Sequence, residues 1–437
     1  MRYLLKQARS RASLALCLAV AAGLSTPLSA QQSAPPAREV IVAPQADRPL
    51  TLADLEQMAL SGNPSIARAQ ALASAAHGNW IQVGLPPNPK VGYEGQQIGS
   101  GGRAEQDGAL VEQEIVRGGK LRLSREVAAQ EVARARQELA AQQQRVLTDV
   151  RVAYYQVLVA QKQKSMTDQL VDIANRGSQA ANALVDAKEV SRADVLQAEL
   201  EVENTQILAQ NARNRLTAGW QQLAAIIGDP YLQPQPLAGE LTIQREKIEW
   251  SAAIDRLLAT SPEIAVAAAN IERARWNLER QIVEPRPNVT VQGLVNWRDN
   301  GIGGGSDGGI QVTMPLPVWN KNQGAISQAQ CEVVAAERAL QQLELYLQQR
   351  LAPVYERYQN SRNQVTRYEA RILPAAQESL ELTRKMYAAG ETGYISLLTA
   401  QRTFSQTQLN YLDALRELRA AEAEIDGLLL SNSLEAR

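Results

Sequence analysis

The residue types that most often carry chemistry are scarce in this chain, and they form no catalytic set. His77 is the only histidine, and a lone histidine in an alanine-rich helical stretch more often packs or faces solvent than catalyses. With only Cys17 and Cys331 beside it, the sequence offers no cluster of soft metal ligands. Gly303–Gly308 (GGGSDG) matches the dinucleotide pattern G-x-G-x-x-G in form, but the residues after it alternate like a strand instead of opening a helix. The sequence therefore predicts no enzyme, no bound cofactor and no metal site.

Charged residues are balanced and dispersed along the chain. The 437 residues include 45 lysines and arginines against 46 aspartates and glutamates. This balance gives no basic footprint of the kind that binds nucleic acid, so no nucleic-acid partner is expected. The carboxylates are scattered along helical segments, as the charges of solvated helix faces usually are.

Four short segments alternate apolar and polar residues, which is the pattern of β-strands with one buried face. The clearest is NVTVQGLVNW (288–297), in which valines and a tryptophan share one face. The pattern fits the sheet of a soluble sandwich, and segments of about ten residues also suit strands that are tilted across a bilayer. The polar faces carry Glu94, Glu112, Glu114, Gln292 and Gln311.

The chain repeats one order of elements twice, with a lag of about 200 residues that far exceeds the period of solenoid repeats. Each copy begins with an alanine-rich helical stretch that a proline cluster closes, PPNP (86–89) in the first and EPRP (284–287) in the second. Two strands joined by a glycine-rich loop follow, and then two long helical segments. We expect the long helices at 120–186, 190–228, 324–388 and 393–430.

The third long segment contains Pro353 and Pro374, and we expect these prolines to break or kink it. A helix of about 60 residues is roughly 90 Å long, so such helices must pack side by side. Four strands cannot close a barrel, and an open sheet edge cannot face lipid. Strands in a membrane would therefore require several chains to share one barrel.

The N-terminal residues have the features of an export signal. Basic residues precede the apolar run Leu14–Leu24, and cleavage is predicted after Ala30. Lipidation of Cys17 is an alternative, because LALC has the shape of a lipoprotein signal. The predicted segments are a signal peptide (1–30), a proline-rich linker (31–49), a first repeat (50–228), a connection (229–249), a second repeat (250–430) and a tail (431–437).

These motifs resemble the TolC family of outer-membrane efflux ducts from about Leu50 to Leu430. The resemblance rests on NPSIARAQA (63–71), the two hairpins, GGK (118–120) and the duplicated long helices. VEQEIVRGGKLRLSREVAAQ (111–130) and MPLPVWNKNQGAISQAQ (314–330) are most similar to the CzcC-like branch, which serves cobalt, zinc and cadmium efflux.

The resemblance implies a mostly α-helical chain with a membrane β-barrel portion. In a homotrimer, four strands per chain would complete a twelve-stranded barrel, and the long helices would continue as an α-helical barrel through the periplasm. The implied partners are a periplasmic adaptor, an inner-membrane pump of the resistance–nodulation–division (RND) class and outer-membrane lipid. The implied function is a passive exit duct for heavy-metal cations. The alternatives are a periplasmic coiled-coil adaptor or scaffold, and a duct for organic toxicants or type I secretion.

The resemblance also assigns roles to three groups of residues. The periplasmic tip, with its gate and adaptor-docking turns, comprises Tyr387, Asp194, Lys188, Glu189, Gly390, Thr392, Gly393 and Ser396. The barrel lumen comprises Glu94, Glu112, Glu114, Gln292 and Gln311, whose carboxylates are expected to favour cations. The interfacial strand-to-helix turns comprise Gly118, Gly119, Lys120, Trp319, Asn320 and Gly324.

Two expectations concern the tip in detail. Ser396 and Thr399 stand where TolC carries aspartates, so a complete ring of aspartates is not expected. Tyr387 and Asp194 are predicted to hydrogen-bond across neighbouring hairpins and to hold the tip closed. The alternative is that these residues perform ordinary helix capping and turn chemistry.

Overall fold

A computed structural model describes residues 48–435, except 97, 99–101, 103, 105, 187–190, 243–245 and 299–304. The predicted signal peptide and nearly all of the linker lie outside the described residues, as do Lys188 and Glu189. All elements named below belong to the unit that begins at Pro49. Within the described residues, no helix combines the length and the apolar character needed to cross a bilayer.

The order of elements in the first half of the chain recurs in the second half. The first half contains helices α1 (Leu52–Gly62) and α2 (Pro64–Gln82), strands β1 (Lys90–Gln96) and β2 (Gln106–Ile115), and helices α3 (Lys120–Asp186) and α4 (Arg192–Ile227). The second half contains α5 (Trp250–Thr260), α6 (Pro262–Val283), β3 (Val289–Arg298), β4 (Asp307–Thr313), α7 (Gln323–Arg367), a π-helical turn (Tyr368–Ile372), α8 (Leu373–Ala388) and α9 (Tyr394–Asp426).

Equivalent caps begin α2 and α6. The Asn63 side chain accepts the N–H of Ser65 at 2.8 Å, and Ser261 accepts the N–H of Glu263 at 3.2 Å. Each cap satisfies one of the N–H groups that a helix start leaves without a partner. In both copies a proline follows the cap, at the position where its missing N–H costs nothing.

The interruption of the third long helical segment differs from the prediction. Helix α7 continues unbroken through Pro353, so the predicted break does not occur there. A π-helical turn instead precedes α8, in which the Leu373 N–H bonds to the carbonyl of Tyr368. Because Pro374 has no N–H to give to Ala370 and its ring crowds that carbonyl, the wider turn relieves the conflict.

The four strands form one antiparallel sheet in the order β1-β2-β3-β4. The register aligns Val91 with Val111, and Val291 with Val312. Successive residues of a strand point to opposite faces, so this register collects the apolar side chains on one face, as the alternation predicted.

The main core lies among the helices, and tyrosines from both copies bind the segment that connects the copies. The Tyr154 hydroxyl donates to the carbonyl of Ala238 at 2.6 Å. In the second copy, the Tyr358 hydroxyl accepts the N–H of Ile248 at 2.9 Å, while Tyr355 donates to the Ile248 carbonyl at 3.2 Å. Tyr154 and Tyr358 are buried and their backbone partners are half-buried, so these bonds satisfy polar groups that have limited access to water.

Candidate functional site

One face of the sheet is apolar and open to the surroundings of the chain. Val91 is 78% exposed, Ile310 83% and Val312 62%. The apolar surface continues beyond β4 through Leu316 and through Trp319, which is 88% exposed. A contiguous apolar surface of this kind marks a site of contact with lipid or with another protein.

The opposite face carries the residues predicted to line a lumen. Glu112, Gln292 and Gln311 lie side by side across β2, β3 and β4. The Lys90 Nζ atom lies 2.8 Å from Glu112 Oε1, so the charge of Glu112 is compensated within the chain. This face is not uniformly polar, because Leu110 and Leu294 oppose each other on it.

The other two carboxylates predicted to line a lumen have uncharged partners. Glu114 Oε1 accepts a hydrogen bond from the Asn288 amide at 2.7 Å. Glu94 accepts one from the Gln96 amide at 2.5 Å. Neither forms an ion pair with a residue that the structure describes, although Glu114 also interacts electrostatically with Lys90.

The first strand-to-helix turn consists of two glycines in the left-handed conformation. Gly118 has φ +74° and Gly119 has φ +71°, values that glycine adopts without the cost other residues incur. Lys120 follows as the first residue of α3, where it is buried with its Nζ 3.7 Å from Glu284 Oε1. The local structure therefore matches the turn predicted for GGK.

The second turn differs in detail from the prediction. Its left-handed residue is Asn322, with φ 60°, and the Asn320 side chain accepts the N–H of Asn322 at 3.0 Å. Gly324 is the second residue of α7 and so lies where the turn passes into the helix. Asparagine tolerates the left-handed region better than most other non-glycine residues, which explains why it can stand in the second turn where the first turn has glycines.

At the first helical tip, Asp194 belongs to a capping box. Its Oδ2 atom accepts the Ser191 hydroxyl at 2.8 Å and the Ser191 N–H at 3.0 Å, while the Asp194 N–H bonds to Ser191 Oγ at 3.3 Å. This reciprocal arrangement fixes the start of α4. Capping thus accounts for the hydrogen bonds of Asp194 within one chain, and the predicted bond to Tyr387 concerns a neighbouring hairpin.

The second tip uses turn glycines in place of side-chain caps. Gly390 has φ +75°, and its N–H donates to the Tyr387 carbonyl at 3.1 Å. The N–H of Glu391 donates to the Met386 carbonyl at 2.9 Å. This is a Schellman ending of α8. Thr392 follows, half-buried, and Gly393 occupies the N-cap of α9 without a side-chain bond. The Ser396 N–H donates to the Gly393 carbonyl at 3.1 Å. Ser396 thus contacts the turn through its backbone, whereas Asp194 contacts its own turn through a side-chain cap.

The two tips of one chain face each other across a cleft of about 860 Å³ lined by Asp194, Tyr387 and Tyr394 among others. A Cβ atom on Gly177 would lie 3.0 Å from the Tyr394 hydroxyl, so this tyrosine lies directly against α3. Tyr387 packs against Tyr394 with ring centroids 6.2 Å apart. Burial raises the pKa of the Tyr394 phenol, which therefore stays protonated at neutral pH.

An ion pair also joins the tips. The Nε atom of Arg402 in α9 lies 2.6 Å from Glu201 Oε2 in α4. The sequence analysis did not single out Tyr394, Glu201 or Arg402. Their contacts run between the two copies of the duplication, and a local helical pattern carries no information about such contacts.

A sheet with one exposed apolar face and one polar face, continued by helices of up to 67 residues, defines the subunit of a membrane channel with a long helical part. The sequence model of the outer membrane efflux protein family matches residues 55–229 and 253–429. The chain therefore belongs to this family, and it is an outer membrane efflux channel and not an enzyme. The two matches follow the two copies of the element order.

Individual relatives agree with this assignment. The chain is 28% identical over 387 residues to the cobalt-zinc-cadmium resistance protein CzcC of Cupriavidus metallidurans, covering 88% of this chain and 91% of that protein. The crystal structure of CusC superimposes with a TM-score of 0.74 at 16% identity and covers 87% of this chain and 92% of CusC. The crystal structure of VceC from Vibrio cholerae superimposes with a TM-score of 0.69 at 17% identity. The match covers 86% of this chain and 95% of VceC. The predicted resemblance to the TolC family is confirmed, and the structural matches show the shared fold.

Proposed function

We propose that the chain forms, as a homotrimer, the exit duct of a tripartite efflux system and conducts substrates passively across the outer membrane. The observation that carries this proposal is the open sheet. Strands β1 and β4 are its two edges, and the apolar face beside them is exposed. An unpaired edge cannot face lipid, because its N–H and C=O groups would have no partners there.

Three copies of this sheet satisfy the edges. If β4 of each subunit pairs with β1 of the next, the three sheets close into one twelve-stranded ring with the apolar faces outward. The polar faces then line a shared lumen, and the long helices extend from it into the periplasm as an α-helical barrel. A soluble adaptor or scaffold would need the helices but would gain nothing from exposed residues such as Ile310 and Val312.

The proposed partners are a periplasmic adaptor, which would dock at the helical tips, and an inner-membrane pump of the RND class. Membership of the efflux family supports this assembly. The proposed cargo is heavy-metal cations, in line with the relative named for cobalt, zinc and cadmium resistance. Glu94 and Glu114 of the polar face, which form no ion pair with a described residue, suit cation passage.

Two neighbouring residues of β4 provide a matched test of the membrane assignment. Ile310 lies on the apolar face and Gln311 on the polar face. Ile310→Arg would place a charge in lipid at a cost of about 2–4 kcal/mol near the midplane. We expect this variant to lose carbonate-resistant membrane association and the trimer band. Gln311→Arg should retain both, and equal behaviour of the two variants would contradict the proposal.

The cargo requires a separate experiment in cells. Deletion of the gene should lower resistance to zinc, cobalt or cadmium, and expression of the wild-type chain should restore it. Parallel exposure to nickel, copper and organic toxicants identifies the substrate range. Sensitivity to organic toxicants alone would overturn the metal assignment but leave the duct intact.

A further inference from the structure

The junction between the sheet and the helices is strongly basic, although the chain as a whole has a net charge of −1. Residues 116–125 contain Arg117, Lys120, Arg122 and Arg125 and no acidic residue. The second copy contributes Arg286, which follows α6. We call Arg117, Arg122, Arg125 and Arg286 the arginine collar; all four are exposed.

Carboxylates of the junction do not neutralise the collar. Glu284 is contacted by two other basic residues, Lys120, whose Nζ lies 3.7 Å away, and Arg280. Arg117, Arg122 and Arg286 form no ion pair with any residue between 48 and 435 that the structure describes. Their charges are therefore available to a partner outside the chain.

Two collar arginines lie over glycines that leave room for them. A Cβ atom on Gly118 would lie 2.9 Å from Cδ of Arg286, and one on Gly84 would lie 2.6 Å from Cγ of Arg125. The Arg125 guanidinium is also 4.1 Å from the centre of the Trp80 ring, a cation–π contact. The surrounding structure thus fixes the stems of these side chains and leaves their charged heads outside.

The collar begins where the exposed apolar surface ends. Ile115, the last residue of β2, is 49% exposed, and Arg117 follows two positions later. Trp319, which is 88% exposed, follows β4 at this same end of the sheet, because the register brings the last residues of β2 and β4 to one edge. In a membrane, the boundary between such an apolar surface and a basic surface lies at the level of the lipid headgroups.

We propose that the arginine collar binds the phosphate groups of anionic phospholipids in the membrane leaflet that faces the helices. The proposal rests on the proposed function, because it requires the sheet to span the membrane. A guanidinium group matches a phosphate with two parallel hydrogen bonds, which favours arginine at such a site. A trimer repeats the collar three times around the duct and thus presents a basic ring to the headgroups.

The test measures lipid selectivity directly. The full-length trimer is reconstituted into phosphatidylcholine vesicles with trace spin-labelled phosphatidylglycerol or phosphatidylcholine, and electron paramagnetic resonance gives the immobilised fraction of each label. At low salt we expect phosphatidylglycerol to be favoured about five-fold, the attraction expected of one basic residue near the surface. High salt should weaken the preference, because exposed charges are screened.

A matched pair of variants assigns the preference to the collar. The triple variant Arg117→Gln, Arg122→Gln and Arg286→Gln should bring the ratio of immobilised phosphatidylglycerol to immobilised phosphatidylcholine close to one. The control replaces Arg136, Arg215 and Arg338, exposed arginines within the helices, by glutamine, and it should retain the wild-type value. Arg125 is left in place because it packs on Trp80.

The outcomes separate this proposal from the proposed function. A trimer that inserts and conducts but immobilises both lipids equally overturns the collar and leaves the duct standing. The collar proposal is also overturned, and the duct left standing, if the collar variant keeps the wild-type lipid selectivity. The same conclusion follows if the control variant loses that selectivity to the same extent. A chain that fails to insert into either vesicle overturns the duct and the collar together.

Discussion

Arg402 and Glu201 join the helical tips of the two copies: the Arg402 Nε donates to Glu201 Oε2 at 2.6 Å. The Glu201 side chain is 14% exposed and that of Arg402 is 51% exposed, so water screens the pair only in part. Both residues line the cleft into which Tyr394 reaches. The pair is therefore placed to resist separation of the two hairpins.

We predict that Glu201→Gln and Arg402→Gln each raise the resting conductance of the channel. A partly exposed pair contributes at most about 1 kcal/mol, so the open fraction should rise by up to about five-fold. Single-channel recording in planar bilayers measures this change. The charge reversal Glu201→Arg with Arg402→Glu should return the conductance towards the wild-type value.

The control for this prediction is Arg213→Gln. It removes an ion pair of 2.9 Å with Asp168, which joins α3 and α4 within the first copy. Hydrogen bonds from Lys164 and Arg213 hold the pKa of Asp168 below its usual value, so the pair is charged at neutral pH. An equal rise in conductance for Arg213→Gln would show that the effect is not specific to the contact between tips.

Two variants distinguish the predicted hydrogen bond between Tyr387 and Asp194 of a neighbouring hairpin from the capping role of Asp194. Tyr387→Phe should raise the resting conductance, because it removes the hydroxyl and keeps the ring packed near Tyr394. Ser191→Ala should lower helix stability by about 1 kcal/mol through loss of the capping box, with unchanged conductance. No change in Tyr387→Phe would leave capping as the sole role of Asp194.

Ion selectivity should follow the carboxylates of the polar sheet face. We predict that Glu114→Gln lowers the ratio of cation to anion permeability, and that adding Glu112→Gln lowers it further. The paired change Lys90→Gln with Glu112→Gln preserves net charge and should alter selectivity little. Reversal potentials across a salt gradient give the ratio, and unchanged values in the double variant of Glu112 and Glu114 would refute the cation-selective lumen.

Sequence patterns predicted the elements well where local chemistry determines them. The helix expected at 120–186 is Lys120–Asp186, because two glycines with positive φ precede it and fix its start. The alternating faces of the strands followed directly from a period of two. In the second turn the same reasoning selected Trp319, Asn320 and Gly324; the Asn320 side chain does accept the Asn322 N–H, but Asn322 adopts the left-handed conformation. Local rules predicted a turn there but not which residue would adopt that conformation.

Contacts between elements could not be predicted in this way. The Lys90–Glu112 pair depends on the register of the β1–β2 hairpin, and the pairing of β2 with β3 contains an irregularity between Asp107 and Gly108. Helix α7 continues through Pro353, which is exposed, while Leu347 and Tyr358 on its buried side are both 0% exposed and pack into the core. Such packing outweighs the lost hydrogen bond, and it depends on other helices of the chain.

The connection between the copies supplies the last prediction. Tyr154 donates to the Ala238 carbonyl at 2.6 Å, and burial raises the pKa of its phenol, so the donor remains protonated at neutral pH. Tyr154→Phe should lower stability by about 1–3 kcal/mol, because a half-buried carbonyl loses its partner. Tyr231→Phe, at a site that is 84% exposed, should cost much less. Thermal denaturation of the trimer, followed by circular dichroism, compares the two. Because both changes remove one hydroxyl, similar melting temperatures would show that the Tyr154 bond does not hold the copies together.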